Sequence, residues 1–332
     1  MRIGLVGLGR IGAFHAETLS ALAGVDALLV TDTAPGRAAE IAAKLAARAV
    51  DGIDELLRSG VDGVVIAAAT DAHPALLAAA VDAGIPVFCE KPVAADAAEA
   101  ARTARALAGR GVPIQIGFPR RFDAGFVAAR QALLDGSLGW VHTVRSTTLD
   151  PAPPPPAYAA TSGGIFRDCA IHDFDAVRWV TGREVVEVYA TGGNRGEDWI
   201  RELGDADTAA TVLTLDDGTL AVVSNTRYNA RGYDVRLELH GSKDSIAAGL
   251  EDRLPLRSAE PGVGFPGGPP HTFFMDRFAA AFRAELAAFV DVVAGRRPSP
   301  CTIGDAVASG WVAEAATLSR HEHRPVRIDE VS

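Results

Sequence analysis

Over the first 117 positions, short apolar runs alternate regularly with alanine-rich stretches. The runs at 3–6, 27–30, 61–67, 87–89 and 114–116 are dominated by Val, Leu and Ile, the pattern of strands buried on both faces. Between them, 11–23, 35–47, 53–58, 72–83 and 95–109 place apolar residues at helical intervals. Strand and helix in alternation predict an α/β fold with a doubly wound parallel sheet of the Rossmann type. Beyond Gly117 the rhythm changes. One amphipathic helix is expected at 126–134, followed by strands at 141–147, 184–190, 209–215, 219–225 and 235–240, with Asp217-Gly218 as a hairpin turn. Helices are expected again at 273–294 and 303–320. The second half therefore reads as an α+β domain built on a largely antiparallel open sheet.

Composition narrows the class. The 332 residues are 48% hydrophobic and 22% charged, a globular balance, and no apolar run approaches the roughly 18 residues a membrane span requires. The first residues, MRIGLVGLGRIG, read as part of the fold, because glycines and Arg10 interrupt the apolar core that a signal peptide needs. A formal charge of −10 would repel phosphate backbones and anionic membranes, so neither nucleic acid nor membrane is an expected partner. Three scattered cysteines (Cys89, Cys169, Cys301) argue against a disulfide framework and suit a reducing cytoplasm. The stretch PAPPPP at 151–156 is stiff and extended, suited either to an SH3-type ligand or to a rigid loop within a domain.

Gly7-Leu8-Gly9-Arg10-Ile11-Gly12 matches G-x-G-x-x-G directly after an expected strand and at the start of an expected helix. In that context the first glycine permits a tight turn, the second lets backbone approach a pyrophosphate, and the third lets helix pack on strand. Unbonded N–H groups at the helix start then hold the phosphates. Asp32 ends the next strand, 20 positions beyond Gly12, where a carboxylate accepts hydrogen bonds from the adenosine ribose. A 2′-phosphate would be repelled there. NAD is therefore the expected cofactor, with NADP kept open by Arg37.

Only three of the 32 basic residues are lysines. Lys44 falls mid-helix and Lys243 in the turn-like Gly241-Ser242-Lys243-Asp244, both surface readings. Lys91, in Glu90-Lys91-Pro92, follows an expected parallel strand at the edge where α/β sheets bind ligands. A lysine can exchange its proton there, which arginine cannot. Thr70 and His73, after the run 61–67, reach the same edge and are expected to face the cofactor, although His73 could equally be satisfied within its own helix start. The second dense region is SGGIFRDCAIHDFD at 162–175, with a helical tail that puts Asp168 and His172, four apart, on one face. A carboxylate and an imidazole so presented suit proton transfer. A metal held by Asp168, His172 and Asp175 would lack an obvious further ligand, and no metal is expected.

Together these stretches resemble the Gfo/Idh/MocA oxidoreductase family over nearly the whole chain, through GLVGLGRIG, FCEKP, GFPRRFD, DPAPPPPAY, SGGIFRDCAIHDFD, EVYATG, RGYDVR and HGSK. The proline-rich loop followed by SGGIFRD points to the inositol branch of that family. The resemblance implies a catalytic Lys91, Asp168 and His172, with His172 as general base for oxidation of a secondary alcohol on a cyclitol or sugar. It adds Arg120, Asp150 and Tyr233 as groups lining a polyhydroxylated substrate, makes the proline-rich loop part of the substrate-site wall, and implies a homotetramer. Here the Tyr233 segment reads RGYD, with Arg231 where an aromatic is frequent, and Pro119 stands where Met or Asn is common. Those two differences bear on the substrate more than on the reaction. The same fold also serves non-catalytic dinucleotide sensors, but a sensor has no need of Lys91, Asp168 and His172 together. The expected division is a dinucleotide-binding domain at 1–119 and a substrate-binding and oligomerisation domain at 120–332, the C-terminal helix packing back on the first.

Overall fold

A computed structural model describes residues 1–332 and divides the chain into two compact units. The first comprises Met1–Pro119 with Ala280–Ala308, and the second Arg120–Ala279 with Ser309–Ser332.

In the first unit, β1 (Arg2–Val6), β2 (Ala27–Thr31), β3 (Arg48–Ala49), β4 (Gly63–Ile66), β5 (Val87–Glu90) and β6 (Ile114–Gly117) form one six-stranded sheet in the order β3-β2-β1-β4-β5-β6. Every pairing is parallel. β1 and β4 are mostly Val, Ile and Leu, and every residue of β4 and β5 is buried, as the centre of a parallel sheet demands. The strand order reverses between β1 and β4, and the crevice beyond strand ends at such a reversal is where open α/β sheets take ligands. The five helices expected here are present at Arg10–Ser20, Arg37–Leu45, Gly52–Arg58, His73–Asp82 and Ala97–Leu107. Strand β3 was not expected, because two exposed residues carry no hydrophobic signal.

The segment that joins this unit from the far end of the chain is the helix Ala279–Val293, which places Leu286 and Phe289 in the core with Ile3, Leu5, Val30 and Phe88. The expected division gave all of 120–332 to one domain, whereas Ala280–Ala308 groups with the first compact unit. Those two large apolar side chains bind the helix to the first sheet, and the last helix, Ile303–Glu322, continues from Ser309 into the second unit. The expected helix 273–294 is two helices, Phe274–Arg277 and Ala279–Val293, interrupted where the chain leaves the second unit.

The second unit is built on β7 (Val141–Leu149), β8 (Val185–Gly193), β9 (Thr208–Leu215), β10 (Leu220–Thr226), β11 (Asp234–Gly241), β12 (Ser245–Ala248) and β13 (Val326–Arg327), in the order β12-β11-β7-β10-β9-β8-β13. Alternation is clearest in β9 and β10, where every second residue is buried. The hairpin between them turns at Gly218 (φ +87°), which bonds back to Leu215. One pairing departs from the expected antiparallel pattern: β7 and β10 run parallel. Their C-terminal ends therefore share an edge, bringing Asp150 and Arg227 beside each other, and antiparallel β11 starts there with Tyr233 just before it.

Candidate active site

The nucleotide-binding features of the first unit are set by close packing. Gly7 has φ +88°, and a side chain on it would lie 2.6 Å from the Ala67 carbonyl. A Cβ on Gly12 would fall 2.0 Å from the Gly7 carbonyl. Gly9, by contrast, faces open space, with nothing within 4 Å of its Cβ position. No side chain caps the helix Arg10–Ser20 and its first turn holds no acid, so its positive end is left for an anion. The loop thus has the shape and polarity for a pyrophosphate. Asp32 closes its floor: one carboxylate oxygen accepts from Leu8 N (2.5 Å) and the other from Ala34 N (2.7 Å). Arg37 donates from Nε to the Leu8 carbonyl (2.9 Å) and from Nη1 to Glu40 (2.8 Å), so it braces the loop in addition to lying beside it.

Three strand ends meet at this edge. Thr70, in a single 3-10 turn after β4, is partly exposed. His73, for which cofactor-facing and locally satisfied placements were both expected, is turned inward. It is 1% exposed, with Nδ1 2.7 Å from the Pro92 carbonyl and Nε2 3.1 Å from the Ala68 carbonyl, and it ties the loop after β4 to the one after β5. Lys91 is partly exposed at the end of β5. Just before it, Glu90 is buried against His15, whose Nε2 lies 2.6 Å from Glu90 Oε1 and whose ring packs edge-on to Phe88. Lys44 pairs with Glu40 (2.6 Å) and Lys243 is exposed, which agrees with their surface readings.

In the second unit Asp168 and His172 lie in a helical stretch whose first turn, Phe166–Ala170, is π-helical before Ile171–Thr181 continues as α-helix. Such wide turns recur at functional sites. Burial supports the expected shared face: between Phe166 and Arg178 only Arg167, Asp168 and His172 are not buried. Both oxygens of Asp168 are engaged. Tyr158, from the proline-rich loop, donates its hydroxyl to Oδ1 (2.9 Å), and Arg227 Nη1 donates to Oδ2 (3.1 Å). Arg227, 1% exposed, also lies 3.5 Å from Asp205. Burial pulls its pKa down, but Asp168, Cys169 and Asp205 together push it higher still, so it stays a cation. Asp205 in turn accepts from Ile165 N (2.9 Å) at the head of the stretch. Gly164 (φ +84°) allows that approach, since a Cβ there would sit 2.9 Å from Asp205 Oδ1.

Other acids of the same stretch point inward. Asp173 accepts from Arg120 Nη1 (2.7 Å), Ser146 (2.6 Å), Thr148 (2.9 Å) and Asn225 (2.9 Å). Asp175 forms a two-pronged pair with Arg121 (2.6 and 2.9 Å) and so does not share an exposed face with Asp168 and His172. Arg120 is 2% exposed and also donates to Thr148 (2.6 Å). Burial lowers its pKa, and Asp173 and Tyr233 more than restore it. Arg120, expected to line the substrate, is held in the interior by Asp173, for which it serves as counter-ion. Tyr233 is 6% exposed, and burial pushes its hydroxyl well above the usual tyrosine range. Asp150 is partly exposed, and Asn229 N donates to its carbonyl (2.7 Å). Arg227 and Tyr158 are the members of this arrangement that sequence reasoning missed as contacts of Asp168. Tyr158 was visible only as the end of the proline-rich loop, and Arg227 only as a charge at the end of an alternating strand.

Residues 1–118 match the family described as "Oxidoreductase family, NAD-binding Rossmann fold", and residues 126–247 match "GFO/IDH/MocA C-terminal domain". The chain is 39% identical over 301 residues to the myo-inositol dehydrogenase Hyg17 of Streptomyces leeuwenhoekii, covering 90% of each. A crystal structure of a probable dehydrogenase from Thermotoga maritima superposes with a TM-score of 0.94 at 35% identity, covering 100% of both chains. A scyllo-inositol dehydrogenase from Lactobacillus casei, solved with NAD(H) and scyllo-inositol, superposes with a TM-score of 0.88 at 30% identity over 99% of each chain.

Proposed function

We propose, from the premise that this chain belongs to the Gfo/Idh/MocA family of NAD-dependent oxidoreductases, that it oxidises a secondary hydroxyl of an inositol, as an inositol 2-dehydrogenase. The observation that carries this reading is the surroundings of Asp168. The loop that resembles the inositol branch delivers Tyr158 to that carboxylate, on the helical face shared with His172.

The roles follow from the chemistry of the groups. His172 takes the proton of the reacting hydroxyl, a task worth about 10²–10⁴ in rate. Lys91 donates a hydrogen bond to the oxygen as negative charge develops on it, and Asp168 fixes the geometry and charge of His172. Bound NAD would supply the hydride acceptor for the carbinol carbon. Gly7, Gly9, Gly12 and the start of the helix Arg10–Ser20 would hold its pyrophosphate, and Asp32 its adenosine ribose. Arg37, engaged by Leu8 and Glu40, supports NAD over NADP.

Self-association is part of the proposal. β8, β9 and β10 present Tyr189, Val212 and Val222 in one register row, each 39–43% exposed, with Leu220 close by at 46%. An apolar sheet face of that kind is usually covered, and a homotetramer covers it with copies of itself. No helix is long and apolar enough to cross a membrane. The three buried free cysteines suit a reducing cytoplasm.

The test is absorbance of reduced nicotinamide on mixing the protein with NAD and a panel of cyclitols and pyranoses. Turnover is expected with an inositol. Turnover confined to a pyranose moves the substrate to another sugar, and no signal anywhere on the panel with NAD binding intact favours a non-catalytic sensor.

A further inference from the structure

We propose that Arg227 is a positioning residue for the oxidation reaction, acting through Asp168, which it clamps from behind. The inference rests on the dehydrogenase reading above. Arg227 is among the largest fully buried side chains of the protein, yet it donates to no backbone carbonyl. Its partners are two carboxylates. Nη1 donates to Asp168 Oδ2 at 3.1 Å, and Nη2 faces Asp205 Oδ2 at 3.5 Å. Nε and Nη2 make no hydrogen bond within the protein.

A buried guanidinium with donors left over is a poor device for stability, because desolvation offsets most of what its ion pairs contribute. It is a good device for geometry. Asp205 holds one end of the guanidinium and also accepts the Ile165 amide, so the cation is referenced to the head of the helical stretch that bears Asp168 and His172. With Tyr158 on Oδ1 and Arg227 on Oδ2, both oxygens of Asp168 are restrained and the carboxylate plane cannot rotate. The lone pairs left on those oxygens then keep set directions toward the groups that Asp168 orients. Displacement of a positioning group by about 1 Å can cost 10²-fold in rate, which is the scale at stake. The parallel pairing of β7 and β10 explains how the residue gets there: it carries the end of β10 to the edge occupied by Asp150, beside Cys169 and Asp168.

Steady-state kinetics of the full-length protein with NAD and inositol test this, using R227M, R227K and both changes again in a D168N background. R227M is expected to lower kcat about 10²-fold with KM for NAD within about twofold of wild type. R227K, which keeps the charge but not the fork, is expected to recover about tenfold of that loss. In D168N the same changes should cost less than about threefold more, because residues that act as a unit are not additive. R227K preserves the buried charge and keeps the comparison available where R227M fails to fold. A folded R227M with wild-type kcat, or losses that add fully to that of D168N, overturns the assignment while leaving the dehydrogenase reading intact. Absence of wild-type turnover overturns both.

Discussion

Asp168 and Asp173 stand five positions apart on one helical stretch, and their surroundings give them different work. Asp173 is fully buried and saturated by donors from Arg120, Ser146, Thr148 and Asn225, an internal anion with no capacity left for a substrate. Asp168 keeps an exposed side while Tyr158 and Arg227 hold its oxygens. The same contrast separates Arg120 from Lys91: one cation is spent inside, the other is partly exposed at a strand end. Lys91 is where a charge-conserving substitution is most informative. Lys91→Arg should lower kcat at least about 10²-fold with the far-ultraviolet circular dichroism and melting temperature unchanged, because a planar guanidinium does not reproduce a compact ammonium at a reacting oxygen. Near-normal turnover would remove Lys91 from the mechanism. At this scale the positions of Lys91 at a strand end and of Asp168 and His172 on one helical face were legible from spacing. The inward turn of Arg120 and His73 was not, because the partners that draw them in, Asp173 and the Pro92 carbonyl, lie 53 and 19 residues away in sequence.

The glycine-rich turn shows how an element can be built partly for stability and partly for a ligand. Gly12 and Gly9 differ by three positions and by everything that surrounds them. Gly12→Ala forces a methyl against the Gly7 carbonyl, and it should cost about 1–3 kcal/mol, read as a fall in melting temperature. Gly9→Ala meets no atom, and Gly9 already has a φ of −62°, which alanine adopts. Its melting temperature should stay at the wild-type value while KM for NAD rises about tenfold or more, since the new methyl projects where the pyrophosphate approaches. Equal effects of the two changes on stability and on NAD would contradict this division of labour. The helices and strands around the turn were readable because their apolar periods are strong. β3 and β13, two residues each, were missed because a strand that short is defined by its neighbour's hydrogen bonds and not by its own pattern.

For the whole molecule, the exposed apolar row on the second sheet is the feature that a single chain leaves unused. Val222→Asp places a charge in the middle of the row Tyr189, Val212, Val222, and light scattering after gel filtration should report a mass below that of the wild-type assembly. A wild-type protein that already runs as a monomer would remove the self-association proposal. The sequence by itself determined the two kinds of sheet, the nucleotide-binding turn and the residues able to move a proton, because periodicity, glycine geometry and side-chain chemistry are local properties. The tertiary structure alone decided which charges face inward, that the helix Ala279–Val293 belongs to the first unit, and that β7 and β10 run parallel so that Arg227 arrives behind Asp168. Those outcomes depend on which distant groups compete to satisfy each buried charge and each apolar face. That competition takes place between segments far apart in the chain, where no local pattern records it.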